Sequence, residues 1–99
     1  MTQFDLYVGA NGPGYLLDIQ SDWLDGASSR VVVPLLQDAG LPPPVKRLNP
    51  VYEILGARHV MATQLLAAVP SSHLRGGVGT LKQEADAIKA ALDILFHGY

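Results

Sequence analysis

Cysteine is absent from this 99-residue chain. That excludes disulfides and thiolate chemistry, and it makes a reducing compartment, the cytoplasm, the expected location. Charge is scarce: Asp, Glu, Lys and Arg make up 16% of the residues, against about 25% in a typical globular domain. A small chain with so few charges has difficulty covering its surface with polar groups, so self-association as a homodimer is expected. Basic residues are few, and Lys46–Arg47 is the single adjacent basic pair in a chain of net charge −2. Nucleic-acid binding draws on clustered Lys and Arg, so no direct sequence-specific nucleic-acid binding is expected. No uninterrupted apolar run approaches the roughly 20 residues that span a bilayer. The opening Met1-Thr2-Gln3-Phe4-Asp5 lacks the basic start and apolar stretch of a signal peptide. No membrane association follows from either feature.

Chemistry-bearing motifs are also thin. His59, His73 and His97 share no metal-ligand spacing and have no cysteine to assist them, so neither a metal nor any other cofactor is expected. Gly9, Gly12 and Gly14 do not match a dinucleotide-binding pattern, and Gly76–Gly79 lacks the Lys-Ser/Thr that follows a phosphate loop. Ser71-Ser72-His73 reads as a polar turn, because sequence neighbours rarely have triad geometry. Arg58-His59 with Arg75 or His73 leaves one enzymatic alternative open. Histidine acid–base chemistry with an arginine on the phosphate would cleave RNA without a metal.

What is present reads as strands followed by a helix, in one domain spanning 1–99. Phe4, Leu6 and Val8 alternate with Gln3, Asp5 and Tyr7, the period of a half-buried strand. Asn11-Gly12-Pro13-Gly14 then makes a hairpin turn into Tyr15–Ile19. Arg30-Val31-Val32-Val33 reads as a central strand ended by Pro34. Ala39-Gly40-Leu41-Pro42-Pro43-Pro44 forms a stiff loop. Val51–Leu55 and His59–Thr63 flank a turn at Gly56-Ala57, and a shorter apolar segment ends at Val69-Pro70. Gly76–Gly79 reads as a flexible spacer. Thr80, with Gln83 three places on, forms a capping box for the last element. On that helix Leu81, Ala85, Ile88, Ala91, Leu92, Leu95 and Phe96 share one face, opposed to Lys82, Asp86, Lys89 and Asp93. A second apolar strip of Ala87, Ala90 and Ile94 is a candidate dimer contact. The resulting fold class is mostly β: a small barrel of antiparallel strands with one C-terminal helix.

Two features point to binding. Trp23, the single tryptophan, lies in the Asp-flanked loop Ser21-Asp22-Trp23-Leu24-Asp25-Gly26. It either tucks into the edge of the core or stands out as an anchor for a partner. Phe96-His97-Gly98-Tyr99 puts three rings in the last four residues.

Across nearly its whole length the chain resembles the CcdB family of toxin–antitoxin toxins. The resemblance lies in Gln3-Phe4 and in Asp18-Ile19-Gln20-Ser21-Asp22 with two apolar residues and Asp25. It continues through Arg30-Val31-Val32-Val33-Pro34-Leu35, Leu48-Asn49-Pro50-Val51 and Ala68-Val69-Pro70, and ends in Ala87-Ile88-Lys89, Leu95-Phe96 and a three-residue tail around Gly98. The resemblance implies an SH3-like barrel, shared with ribonuclease toxins of the MazF/Kid type, and a homodimer with its two C-terminal helices at the two-fold axis. It further implies a non-enzymatic toxin that binds the DNA gyrase A subunit and traps its cleavage complex, countered by a CcdA-like antitoxin. By position the target-binding residues would be Trp23, Leu24, Asp93, Phe96, His97, Gly98 and Tyr99. The tail departs from the family pattern: Trp-Gly-Ile is replaced by His97-Gly98-Tyr99, and an asparagine by Asp93. An endoribonuclease of the shared fold and a non-toxic chromosomal homologue that keeps antitoxin binding remain as alternatives.

Overall fold

A computed structural model describes residues 2–9, 14–38 and 41–99. The expected turn at Asn11-Gly12-Pro13 and the start of the proline loop at Ala39-Gly40 lie outside the described residues. Seven strands and one helix follow in chain order: β1 (Asp5–Val8), β2 (Gly14–Asp18), β3 (Ser29–Gln37), β4 (Val51–Ile54), β5 (Ala57–Met61), β6 (Ala67–Pro70), β7 (Gly77–Thr80) and α1 (Ala85–His97). All pairings are antiparallel, and the sheet runs β4-β5-β3-β2-β1-β7 with β6 beside β3. Among the described residues the antiparallel sheet curls into a half-barrel, with one C-terminal α-helix packed on its core, the small-barrel class expected from the sequence. No helix among the described residues is long and apolar enough to cross a membrane.

β3 is the spine. One edge pairs with β2 from Val32 to Leu36, while the other takes β6 over Ser29–Val32 and β5 over Leu35–Gln37. Pro34 does not end this strand, contrary to its reading from sequence. Its carbonyl accepts the Ala62 N–H at 2.9 Å, so its nitrogen faces the gap where β6 gives way to β5. No ladder bond is needed there, and a proline is tolerated.

The spacing around the glycines also needs correction. Gly77–Thr80 is not a flexible spacer but strand β7, paired with β1 across a register shift between Leu6 and Tyr7. The β4–β5 turn is Leu55-Gly56, with φ of 50° and 83°, the paired positive values that match strand twist in a two-residue hairpin. β5 ends at Met61, and Thr63–Leu65 forms a 3-10 turn.

The main core joins Phe4, Leu6, Leu17, Val33, Leu35, Ile54 and Met61 of the sheet to Leu81, Ile88 and Ala91. The helix begins later than its capping pattern predicts. Thr80 is held in β7 opposite Asp5, and its Oγ1 accepts the Lys82 N–H at 3.1 Å. A 3-10 turn at Lys82–Glu84 intervenes, and Gln83 closes no box because Glu84 is the cap residue, with no side-chain bond. Ala85, Leu92 and Leu95 are half-buried on the helix face as expected, but Phe96 is exposed.

The alternation of β1 also fails at its ends. Phe4 precedes the strand at φ 73°, Val8 is exposed, and Tyr7 is buried. Tyr7 belongs to a second cluster, on the other face, with Val32 and Leu74. On that face lies a fully buried ion pair: Arg30 Nη2 is 2.7 Å from Asp18 Oδ2, and Nε donates to the same oxygen at 2.9 Å. Asp18 Oδ1 accepts the Gln20 N–H at 3.0 Å. The Gln20 side chain then donates to Ser29 O and accepts the Val31 N–H, each at 3.0 Å.

Removing one charge of a buried pair strands the other, at a cost of about 3–5 kcal/mol. Asp18→Asn should therefore lower unfolding free energy in urea, followed by circular dichroism, by about that amount. The double variant Asp18→Leu with Arg30→Met should recover most of it. A second outcome concerns pH. Burial, with a smaller contribution from Glu84, pushes the Tyr52 phenol up to about 12, and its hydroxyl is buried with no hydrogen-bond partner among the described residues. A phenol in the unfolded chain titrates near 10. The folded state therefore holds its proton more tightly, so stability is intact below pH ~10 and falls as pH rises from there toward 12. Tyr52→Phe should leave stability at pH 7 equal or higher and flatten that alkaline loss.

Candidate functional site

Gln20 ends the buried network, and the next residues turn outward. Asp22–Leu24 is a single 3-10 turn. The Ser21 Oγ accepts the Trp23 N–H at 3.2 Å, and the Leu24 and Asp25 N–H groups return to Ser21 O and Asp22 O at 3.0 and 3.1 Å. A longer-range bond ties the turn to the N-terminus: Asp22 Oδ1 accepts the Gln3 N–H at 2.9 Å, while Gln3 Nε2 donates to Ile19 O at 3.1 Å. With its backbone fixed in this way, the turn presents Trp23 at 95% exposure and Leu24 at 56%. Trp23 thus points outward and is not part of the core edge.

The second element is the end of α1. Gly98 adopts φ 81°, and its N–H returns to Ile94 O at 2.9 Å. This is the left-handed helix stop that glycine accommodates without a Cβ penalty. The reversal sets Tyr99 beside His97, ring centroids 6.1 Å apart, while Phe96 meets His97 edge-on at 6.5 Å. Phe96 and Tyr99 are 63% and 82% exposed. Asp93, one turn back, is exposed as well. Of the expected dimer strip, Ala87 is exposed and Ala90 and Ile94 are half-buried.

Of the residues considered for RNA cleavage, Arg58 and His59 face opposite sides of β5, and Arg75 Nε donates to Ser72 O at 3.3 Å. Arg58 is exposed and paired with Asp38 at 3.0 Å. His59, the next residue on β5, points to the opposite face, buried against the Tyr15 ring with Nδ1 2.9 Å from Ala57 O. Ser71–His73 is a 3-10 turn in which Ser71 Oγ donates to Ser28 O at 3.0 Å, and Ser72 and His73 are exposed. A pocket between the proline loop and β5 is lined by Leu36, Pro43, Val45, Val60 and Leu65, with Asn49 and Gln64 hydrogen-bonded to each other at its wall. Its lining suits apolar contact and offers no group for proton transfer.

Sequence reasoning missed the residues that hold the Trp23 turn: Gln3, Asp18, Gln20 and Arg30. One signal was available. Arg30 is the only basic residue among the first forty and abuts three valines, a setting in which an arginine must be paired.

Asp22→Ala removes the bond to Gln3 and should cost about 0.5–1.5 kcal/mol. Because Trp23 is the only tryptophan, its fluorescence anisotropy decay reports the turn directly and should show faster local motion in the variant. An unchanged decay would mean that the Ser21 cap alone holds the turn.

When the chain is compared with known protein families, the model described as CcdB protein matches residues 3–98.

Proposed function

The chain belongs to the CcdB family of toxin–antitoxin toxins, and from that premise we propose that it is a non-enzymatic, cytoplasmic toxin. Its target in this reading is the DNA gyrase A subunit, and a CcdA-like antitoxin is its regulator. The observation that carries the proposal is the set of large apolar side chains held out in solvent on ordered backbone: Trp23, Leu24, Phe96 and Tyr99. Aromatic side chains bury about 150–250 Å² each when covered, at roughly 25 cal/mol per Å². Three such rings together with Leu24 on each protomer offer a large apolar contact, and rigid presentation limits the entropy lost on binding.

In this proposal two copies associate through Ala87, Ala90 and Ile94, small or half-buried side chains that let helices approach closely. The pairing brings two tails to the two-fold axis, so that Phe96, His97, Gly98 and Tyr99 of both copies enter the target together. Trp23, Leu24 and Asp93 contact its flanks. The toxin transfers no group. It holds gyrase with its DNA cleaved by adding binding energy to that state alone, which is how a ligand shifts an equilibrium. His97 in place of the family's tryptophan and Asp93 in place of its asparagine favour a second reading, a homologue that keeps antitoxin binding without poisoning gyrase.

Purified protein, gyrase, ATP and plasmid DNA decide between them. The first reading expects trapped double-strand breaks that disappear when His97–Tyr99 are deleted, while circular dichroism shows the fold retained. If the intact dimer leaves supercoiling unaffected and traps no breaks, gyrase poisoning is ruled out and the homologue reading stands.

A further inference from the structure

Arg30 carries more N–H groups than its protein partners use. Its side chain is 1% exposed. Nε donates to Asp18 Oδ2 and Nη2 lies 2.7 Å from the same oxygen, yet Nη1 is buried with no hydrogen-bond partner among the described residues. A guanidinium cannot shed its charge, so an unpaired N–H on it keeps its full desolvation cost. Its shape says where the next partner lies. The group is planar, and the outer N–H bonds of Nη1 and Nη2 run parallel. Nη2 sends its own toward Gln20 O at 3.4 Å, a long contact that leaves the carbonyl with accepting capacity. The outer N–H of Nη1 therefore points to the same side, next to that carbonyl.

A further polar group shares this face. Tyr7 pairs with Leu16 on β2, and Asp18, two places on, pairs with Val32 on β3. Alternation sets all of them on one side of the sheet together with Arg30. Tyr7 is buried in the cluster with Val32 and Leu74. Its phenol is pushed up first by burial, then by Asp5 and Asp18, with Arg30 opposing, so its hydroxyl lies in the field of the ion pair. Tyr52 is the contrast. Its hydroxyl is also buried and unpartnered among the described residues, but it is a neutral group packed against the apolar main core.

We infer that this face binds one internal water, which accepts from Arg30 Nη1 and donates to Gln20 O and to the Tyr7 hydroxyl. About three polar partners is the usual coordination of a buried water. The bound water extends the network of Asp18, Arg30 and Gln20 onto β1, so that three strands and not two are joined to the buried charge.

Nuclear magnetic resonance of the full chain reads the site directly. The Arg30 Nη1 protons should give resolved, slowly exchanging signals, with Overhauser contacts to water of the sign that a long-lived bound molecule produces. Oxygen-17 relaxation dispersion counts such waters. Its amplitude should fall by the contribution of one molecule in Tyr7→Phe, and equally in the double variant Asp18→Leu with Arg30→Met. Tyr52→Phe should leave the amplitude unchanged. Circular dichroism checks that each variant is folded. An amplitude unchanged in Tyr7→Phe or in the double variant overturns the site. So do Arg30 Nη1 protons that exchange with bulk water as fast as those of the exposed Arg47.

Discussion

The contact between Asp18 and Arg30 is the constraint on which the working parts of this molecule depend. An arginine fully removed from water must meet its countercharge with good geometry, or the surrounding fold pays several kcal/mol. Asp18 meets it at 2.7 Å and spends its other oxygen on the Gln20 amide. Gln20 in turn bridges to both ends of Arg30's own neighbourhood, Ser29 and Val31. The end of β2, the start of β3 and the segment leaving β2 are thereby locked together. That segment continues directly into the turn bearing Trp23, so a buried charge pair sets the position of a side chain lying wholly in solvent. The second small cluster of Tyr7, Val32 and Leu74 shares this face of the sheet, which is why β1 is covered on both sides at Tyr7.

Much of the architecture was legible in the sequence for simple reasons. Ile88, Ala91 and Leu92 repeat at helical spacing, and the Val31–Val33 run is continuous and β-branched, so helix and central strand were plain. What escaped was whatever depended on a partner distant in the chain. Pro34 is compatible with a long strand because β6 stops and β5 begins opposite it, a fact of pairing and not of local preference. Gly77-Val78-Gly79 looks mobile by composition, yet it pairs with β1 because the barrel offers it an edge. Thr80 and Gln83 carry the letters of a capping box, but Thr80 is already committed to Asp5 across the sheet. The periodicity of α1 continued to Phe96, yet Phe96 is exposed, and periodicity alone does not register which turns of a helix are covered.

The exposed rings followed the same division. The tail's rings and the single tryptophan were conspicuous by residue type. Their exposure was not, since an apolar loop residue can equally turn inward. Hydrogen bonds that the Ser21 and Asp22 side chains accept from main-chain N–H groups decide the matter, and their long-range member, from Gln3, spans nineteen residues. The alternative site of Arg58 and His59 was adjacent in sequence and therefore attractive, yet strand alternation sends such neighbours to opposite faces. In the proposed reading, recognition is built from projections instead of a cleft, which suits a partner that supplies its own cavity.

One pairing carries a consequence for how the protein comes into being. β1 is hydrogen-bonded to β7, and the main-chain groups of Phe4 are completed by Asp18 and by Leu81. The first strand of the chain therefore waits for almost the last before its edge is satisfied. During synthesis on the ribosome the amino-terminal hairpin has no closing partner until some eighty residues have emerged, and only then does the helix with its aromatic tail follow. Such long sequence separation slows folding and makes the edge of β1 wait for β7. A product terminated before β7 would lack both that strand and the helix end that displays Phe96 and Tyr99.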